Sequence, residues 1–255
     1  MRALSAFAAA LVACTTSSSC SSESLLPDTG GPDAGPFAVS GTVKPFPLAT
    51  RWYAEQGKSS PSRAGLSLRL EDPYVTAHLP DDGLDLASSI DEDGRFSFVD
   101  IAGRVSVGMA ALLTDPRPTR LSLPSETFLF EGGPQTVSDA AAYMLPADFA
   151  AALAAATSIA DLAQRGFLLG VVLDAGGHPV SGATIEGYGL EPSRLLYLGE
   201  DLVPVAGGVA TGTSGAFLVA GPLELMNFTV EGLEGYPRRK GLVRPGLAFL
   251  IVFQP

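Results

Sequence analysis

The sequence predicts a mainly β protein in which two small antiparallel β-sandwich domains are joined by a short α-helical spacer. Three observations carry this reading. From Phe37 onward, strand-length runs with a period near two follow one another, and clusters of Gly, Pro and Asp separate them. Only one helical period of any length, Pro146 to Arg165, interrupts them, and it falls between two such groups of strands.

In the first group, Phe37 to Val43, Leu66 to Leu70, Arg95 to Val99 and Val105 to Val107 alternate apolar with polar residues, the pattern of half-buried strands. Asp91-Glu92-Asp93-Gly94 ends in the Asp-Gly pair that supplies the positive φ of a tight hairpin turn. Between Lys44 and Arg63 runs a longer loop holding Pro45, Pro47, Trp52 and Tyr53. In the helical segment, Phe149, Leu153, Ala156, Ala160 and Ala163 recur at spacings of three or four, Asp148 lies in the first turn, and Gly166 stands at the C-terminal end. Its alanine-rich face has little area to bury, so it is expected to lie flat against one sandwich. The second group opens with the strand Phe167 to Asp174, the turn Ala175-Gly176-Gly177-His178-Pro179 and a returning strand, Val180 to Glu186. A hairpin around Thr213-Ser214-Gly215, a strand from Phe228 to Gly232 and an exposed final strand, Leu247 to Phe253, complete it. The expected boundaries are a leader at 1–13, a Ser/Gly/Pro tether at 14–36, a first sandwich at 37–131, a helical linker at 132–166 and a second sandwich at 167–255.

Gly170-Val171-Val172-Leu173-Asp174-Ala175-Gly176-Gly177-His178-Pro179-Val180-Ser181-Gly182-Ala183-Thr184 resembles the opening of carboxypeptidase regulatory-like domains. Thr213-Ser214-Gly215-Ala216-Phe217 is similar to the hairpin of that family, with Ser where Asp is usual. The resemblance covers residues 167 to about 232 and implies an immunoglobulin-like or transthyretin-like sandwich. Ser40-Gly41-Thr42-Val43, Ala64-Gly65-Leu66-Ser67 and Gly94-Arg95-Phe96 line up with the same three motifs, so residues 37–131 read as a diverged copy or as an unrelated β-domain.

The first residues give an address. Arg2 precedes an apolar run, Ala3 to Ala13, that fits a signal h-region and is too short to span a bilayer. Leu11-Val12-Ala13-Cys14 resembles the lipobox of bacterial lipoproteins, which implies cleavage before Cys14 and diacylglycerol on its thiol. Thr15 follows where an inner-membrane protein of that class tends to carry Asp, which implies the outer membrane. The alternative is an ordinary secretory signal cut after Ala10. The polar segment after Cys14 cannot bury enough apolar surface to offset its chain entropy and reads as a tether. Both cysteines, Cys14 and Cys20, lie in this region, so the folded body holds no disulfide and no thiolate metal site.

Composition and missing motifs exclude several chemistries. With 16 Lys and Arg against 27 Asp and Glu, the net charge is −11, which repels phosphate backbones; Arg238-Arg239-Lys240 is the largest basic cluster. Nucleic acid is therefore not an expected partner. His78 and His178 lack a nearby Glu at metalloprotease spacing, and Gly212-Thr213-Ser214-Gly215-Ala216 is not a nucleophile elbow. No catalytic residue and no cofactor are expected. Two binding features stand out. Trp52 and Tyr53 are candidate glycan contacts or, alternatively, core anchors. Asp91 and Asp93, with Asp81, Asp82 and Asp85 upstream, are candidate ligands for weak calcium binding or simply solvated turn residues. The function expected is that of a non-enzymatic, lipid-anchored envelope protein that binds the membrane through its lipid and an envelope protein or polysaccharide through its sandwiches. The alternatives are a subunit of an envelope complex that pairs through Leu247 to Phe253, or an enzyme whose interdomain site uses His78, Asp91 or Asp93.

Overall fold

The computed structural model describes residues 36–78, 84, 86–103 and 105–255. The leader, Cys14, Cys20, Asp81, Asp82 and Asp85 lie outside the described residues. The first half contains β1 (Phe37–Pro45), α1 (Pro47–Glu55), β2 (Ser67–Glu71), α2 (Pro73–His78), β3 (Leu86–Ser89), β4 (Arg95–Ile101), β5 (Gly108–Thr114), β6 (Ser122–Leu123), β7 (Ser125–Glu131) and β8 (Val137–Pro146). The second contains α3 (Ala147–Thr157), α4 (Leu162–Arg165), β9 (Phe167–Val172), β10 (Thr184–Gly187), β11 (Leu195–Tyr197), β12 (Ala216–Ala220), β13 (Leu223–Glu231), β14 (Arg239–Val243) and β15 (Ala248–Phe253). The chain is mainly β, as its periodicity predicts.

The two halves repeat one pairing scheme. β1 runs antiparallel to β4 and parallel to β8; β9 runs antiparallel to β12 and parallel to β15. Opposite them, β5 pairs antiparallel with β2 and β7, as β13 does with β10 and β14. The halves differ at β3, which joins β2, and β11, which joins β12. Each half is a sandwich whose inward residues form its own core, with Val39, Leu68, Met109 and Met144 in the first and Leu168, Phe217, Phe228 and Phe253 in the second.

A matched set of glycines fixes the crossing of the first two paired strands in each half. Gly41 stands opposite Phe96 and Gly170 opposite Phe217, and each phenyl ring lies over the glycine. A β-carbon on Gly170 would come within 2.0 Å of the Phe217 ring; one on Gly41 would come within 2.8 Å of the Phe96 ring and 2.1 Å of the Ala140 carbonyl oxygen. Two residues before each Phe, Gly94 (φ 83°) and Gly215 (φ 67°) turn the hairpin. Their amide neighbourhoods match, since Val43 N donates to Gly94 O and Val172 N donates to Gly215 O. Gly170→Ala is therefore expected to overpack the fully buried Phe217 and to cost about 1–3 kcal/mol in chemical denaturation. An unchanged midpoint would show that the ring has room to shift.

The sandwiches are fused rather than strung together. β7 of the first pairs in parallel with β15 of the second, which creates one eight-stranded sheet, β11-β12-β9-β15-β7-β5-β2-β3. The expectation of an exposed final strand is thereby corrected. β15 is flanked by β9 along Ala248–Phe253 and by β7 at Ala248 and Phe249, and Phe249, Leu250 and Ile251 are almost fully buried, because the strand carries apolar residues on both faces.

Helices cover the other face of the second half's strands. Phe46, Leu48 and Ala49 from the α1 region and Phe149, Ala150 and Leu153 from α3 pack on Leu169, Val171, Leu218 and Leu250. The long loop expected at 44–63 thus holds a helix, started by Pro47 in its first turn and ended near Gln56. The segment 132–166 is more than a helical linker: Val137–Pro146 is strand β8, bonded alongside β1. The helix begins only at Ala147 and breaks at Ser158, whose left-handed conformation (φ 58°) ends α3 before α4. Two further expectations change. Val105 to Val107 precedes the strand, which starts at Gly108, and Thr184–Gly187 crosses to the opposite sheet instead of pairing with β9.

Candidate functional site

The residues singled out for catalysis or ion binding are engaged in local structure. His78 ends α2 with its ring stacked on Tyr74 at 4.4 Å and its Nδ1 3.0 Å from the Tyr74 carbonyl oxygen. His178 lies in the β9 turn, where its backbone N–H donates to Asp174 Oδ1. That bond is the main cause of the lowered pKa of Asp174. Ser214 is fully buried, and its hydroxyl donates to Leu198 O and accepts from Ala216 N. Asp91 Oδ1 accepts from Arg95 N at 2.7 Å, and Asp93 pairs with the Arg95 guanidinium at 2.7 Å, so both carboxylates hold the β4 hairpin. Asp91 also borders an open groove of about 570 Å³, together with Ser40, Thr42, Ser97 and Asp139. Among the described residues, no three His, Cys, Asp or Glu side chains are placed to hold a metal.

Trp52 and Tyr53 join the helices. Tyr53 is 3% exposed and its hydroxyl donates to Asp148 of α3, so it offers no sugar-contacting surface, a correction that follows from its burial against the interhelical core. Burial of the phenol and the adjacent Asp148 carboxylate push the Tyr53 pKa up. Trp52 is half-buried, meets Phe149 edge-on at 5.7 Å, and has the Lys58 ammonium 5.8 Å from its ring centroid.

Sequence reasoning missed a buried charged cluster. Arg244, just after β14, donates to Glu71 Oε1 at 2.5 Å and to Glu126 Oε2 at 2.6 Å. The Glu126 side chain is 0% exposed, and its Oε1 has no hydrogen-bond partner. Burial pushes the Glu126 carboxyl up to about 8; the Arg244 charge opposes this and the Glu71 charge adds to it. The three residues are 118 and 173 positions apart, so no local motif announces them. Only an acid inside the strand Ser125-Glu126-Thr127-Phe128 hints at a buried charge. The cluster clamps the second sandwich to the first.

Beside it, β7 and β15 diverge. Their pairing stops at Phe249 opposite Glu126, and past that point a cavity of about 180 Å³ opens between the strands. Thr127, Leu129 and Glu131 border it on one side, Leu250, Val252 and Gln254 on the other. Tyr143 of β8 and Arg239 and Lys240 of β14 also line it. Lys240 crosses the seam, its N–H donating to Glu131 Oε1 and its Nζ to Val107 O. Burial raises the Glu131 pKa, while the charges of Lys240, Arg239 and Arg238 oppose the rise. This cleft is the candidate site, a small opening at the seam of the two sandwiches with polar groups converging on it.

No family model matches the chain, and no curated protein matches it. Among solved structures it is similar to the TIE protein of Bacillus anthracis, with 12% identity and a TM-score of 0.25 over 85% of this chain and 33% of that one. It is also similar to a streptococcal ancillary pilin (15% identity, TM-score 0.22, 86% of this chain and 69% of that one). The minor pilin of Streptococcus agalactiae gives 12% identity and a TM-score of 0.26 over 86% of this chain and 94% of that one. The chain spans one third of the length of the first of these, and TM-scores of this size carry no argument about what it does.

Proposed function

We propose that this chain is a non-catalytic, lipid-anchored protein of the bacterial cell envelope that holds a pair of carboxypeptidase regulatory-like sandwiches away from the membrane. The observation that carries the reading is Leu11-Val12-Ala13-Cys14, set behind Arg2 and an apolar run and separated from the first strand at Phe37 by a Ser/Gly/Pro-rich segment. A diacylated cysteine at that position holds the body to the bilayer through buried acyl chains alone. A non-catalytic role accords with the use made of the reactive side chains. The side chains of His78, Asp91, Asp93 and Ser214 each brace a helix end or a turn. The carboxypeptidase regulatory-like reading is supported by the glycine and phenylalanine device, which occupies the positions of the motif in both halves.

The test is metabolic labelling with palmitate in a Gram-negative host, followed by membrane fractionation. The wild-type chain is expected to take up label, to be processed to a form beginning at Cys14 and to sediment with the outer membrane. Cys14→Ser is expected to lose the label and remain unprocessed. Absence of label from the wild type, or equal label in Cys14→Ser, would overturn the anchor.

A further inference from the structure

We infer that the cleft between β7 and β15 receives an extended, acidic segment of a partner protein, which hydrogen-bonds to the open edge of β15. The inference rests on the seam and not on the lipid anchor.

The backbone geometry comes first. Ala248 N donates to Pro124 O, on the β7 side. Backbone groups alternate between the two edges of a strand, so Leu250 and Val252 direct theirs to that same side. The other edge of β15 is bonded to β9 from Ala248 to Phe253. The pair Phe249–Glu126 takes up the Leu250 N–H, and beyond it the Leu250 carbonyl and the N–H and carbonyl of Val252 meet the cavity instead of a strand. Buried backbone groups are almost always hydrogen-bonded, and donors and acceptors at strand spacing are complemented by another extended backbone.

Charge selects the kind of segment. Arg238, Arg239 and Lys240 gather around one carboxylate, Glu131, which leaves the mouth positive in a protein of net charge −11. Both Arg239 and Lys240 line the cavity; the Lys240 Nζ is held by the Val107 carbonyl, and its backbone N–H donates to Glu131. An acidic side chain on the incoming strand meets Arg239, and a basic one is repelled. Size argues in the same direction. At about 180 Å³ the cavity is smaller than the roughly 300–1,000 Å³ usual for drug-sized ligands. It admits a short length of strand and no folded element.

The experiment selects phage-displayed random dodecapeptides on the purified protein, then measures the selected peptides by fluorescence polarisation at low and high salt. The expected result is enrichment of Asp or Glu among β-branched residues. Arg239→Glu is expected to weaken binding by about tenfold or more, with a smaller salt dependence than the wild type. N-methylation of alternate peptide amides, which leaves the protein untouched, is expected to abolish binding by removing strand hydrogen bonds. Failure to enrich any peptide would overturn the inference. So would peptides indifferent to both Arg239→Glu and N-methylation, or stronger binding of polygalacturonate, which would make the cleft a sugar site.

Discussion

Replacing Arg244 with alanine is expected to destabilise the protein by about 3–5 kcal/mol, because it leaves the Glu71 carboxylate in a buried site with no cation and takes the donor away from Glu126 Oε2. Glu126 is 0% exposed and Glu71 is 7% exposed at the side chain, so neither can turn to water without opening the seam. Urea denaturation at neutral pH measures the loss, and a change below about 1 kcal/mol, the range of an exposed pair, would show that the cluster is hydrated. The pH dependence gives a second reading of the same site. The folded-state pKa of Glu126 is raised, to about 8, above its unfolded value, so the folded chain holds the proton more tightly. The stability contributed by that proton is complete below the ordinary carboxylate range and is lost as the pH rises through about 8. Glu126→Gln keeps an acceptor for Arg244 and needs no proton. Its stability relative to wild type is therefore expected to grow from pH 5 to pH 9, and a constant difference across that range would rule out a protonated Glu126. Asp115 acts at the other end of the scale. Its hydrogen bonds from Arg117 hold its carboxyl down at about 2, and the corresponding stability is present above the ordinary Asp range and disappears as the pH falls towards 2.

Phe149→Ala is expected to cost about 3–5 kcal/mol, the range for a fully buried aromatic. Its ring belongs to the core shared by α1, α3 and the second half's strands, so the damage should not stay within one half. Hydrogen exchange would show this, with protection falling both in α1 and across Phe167–Val172 of β9. Loss confined to α3 would mean that the helices rest on the sheet without coupling the halves. Trp52, edge-on to Phe149, is part of the same contact.

Local patterns determined the class of this fold. Period-two alternation located β1, β2 and β4, and short apolar runs bounded by Gly, Pro and Asp located β9, β12, β13 and β15, within a few residues. Gly41 and Gly170 stand out in the sequence only through the resemblance of their motifs; the strand pairing decides that each lies under a phenyl ring, where a β-carbon would clash. The tertiary structure alone decided how the strands assemble. Asp139-Ala140-Ala141-Ala142 carries no strand signal, and it becomes part of β8 because β1 offers it a parallel edge far back in the sequence. β5, with Met109, Ala110, Ala111 and Leu113 all buried, lacks alternation because both of its faces are covered. The position of β15 at the centre of an eight-stranded sheet, the cleft that opens beside it and the meeting of Glu71, Glu126 and Arg244 all depend on contacts between distant segments. Periodicity reports which face of an element is apolar and says nothing about which neighbour will cover it, so the seam that carries the candidate site became visible only once the two sandwiches were joined.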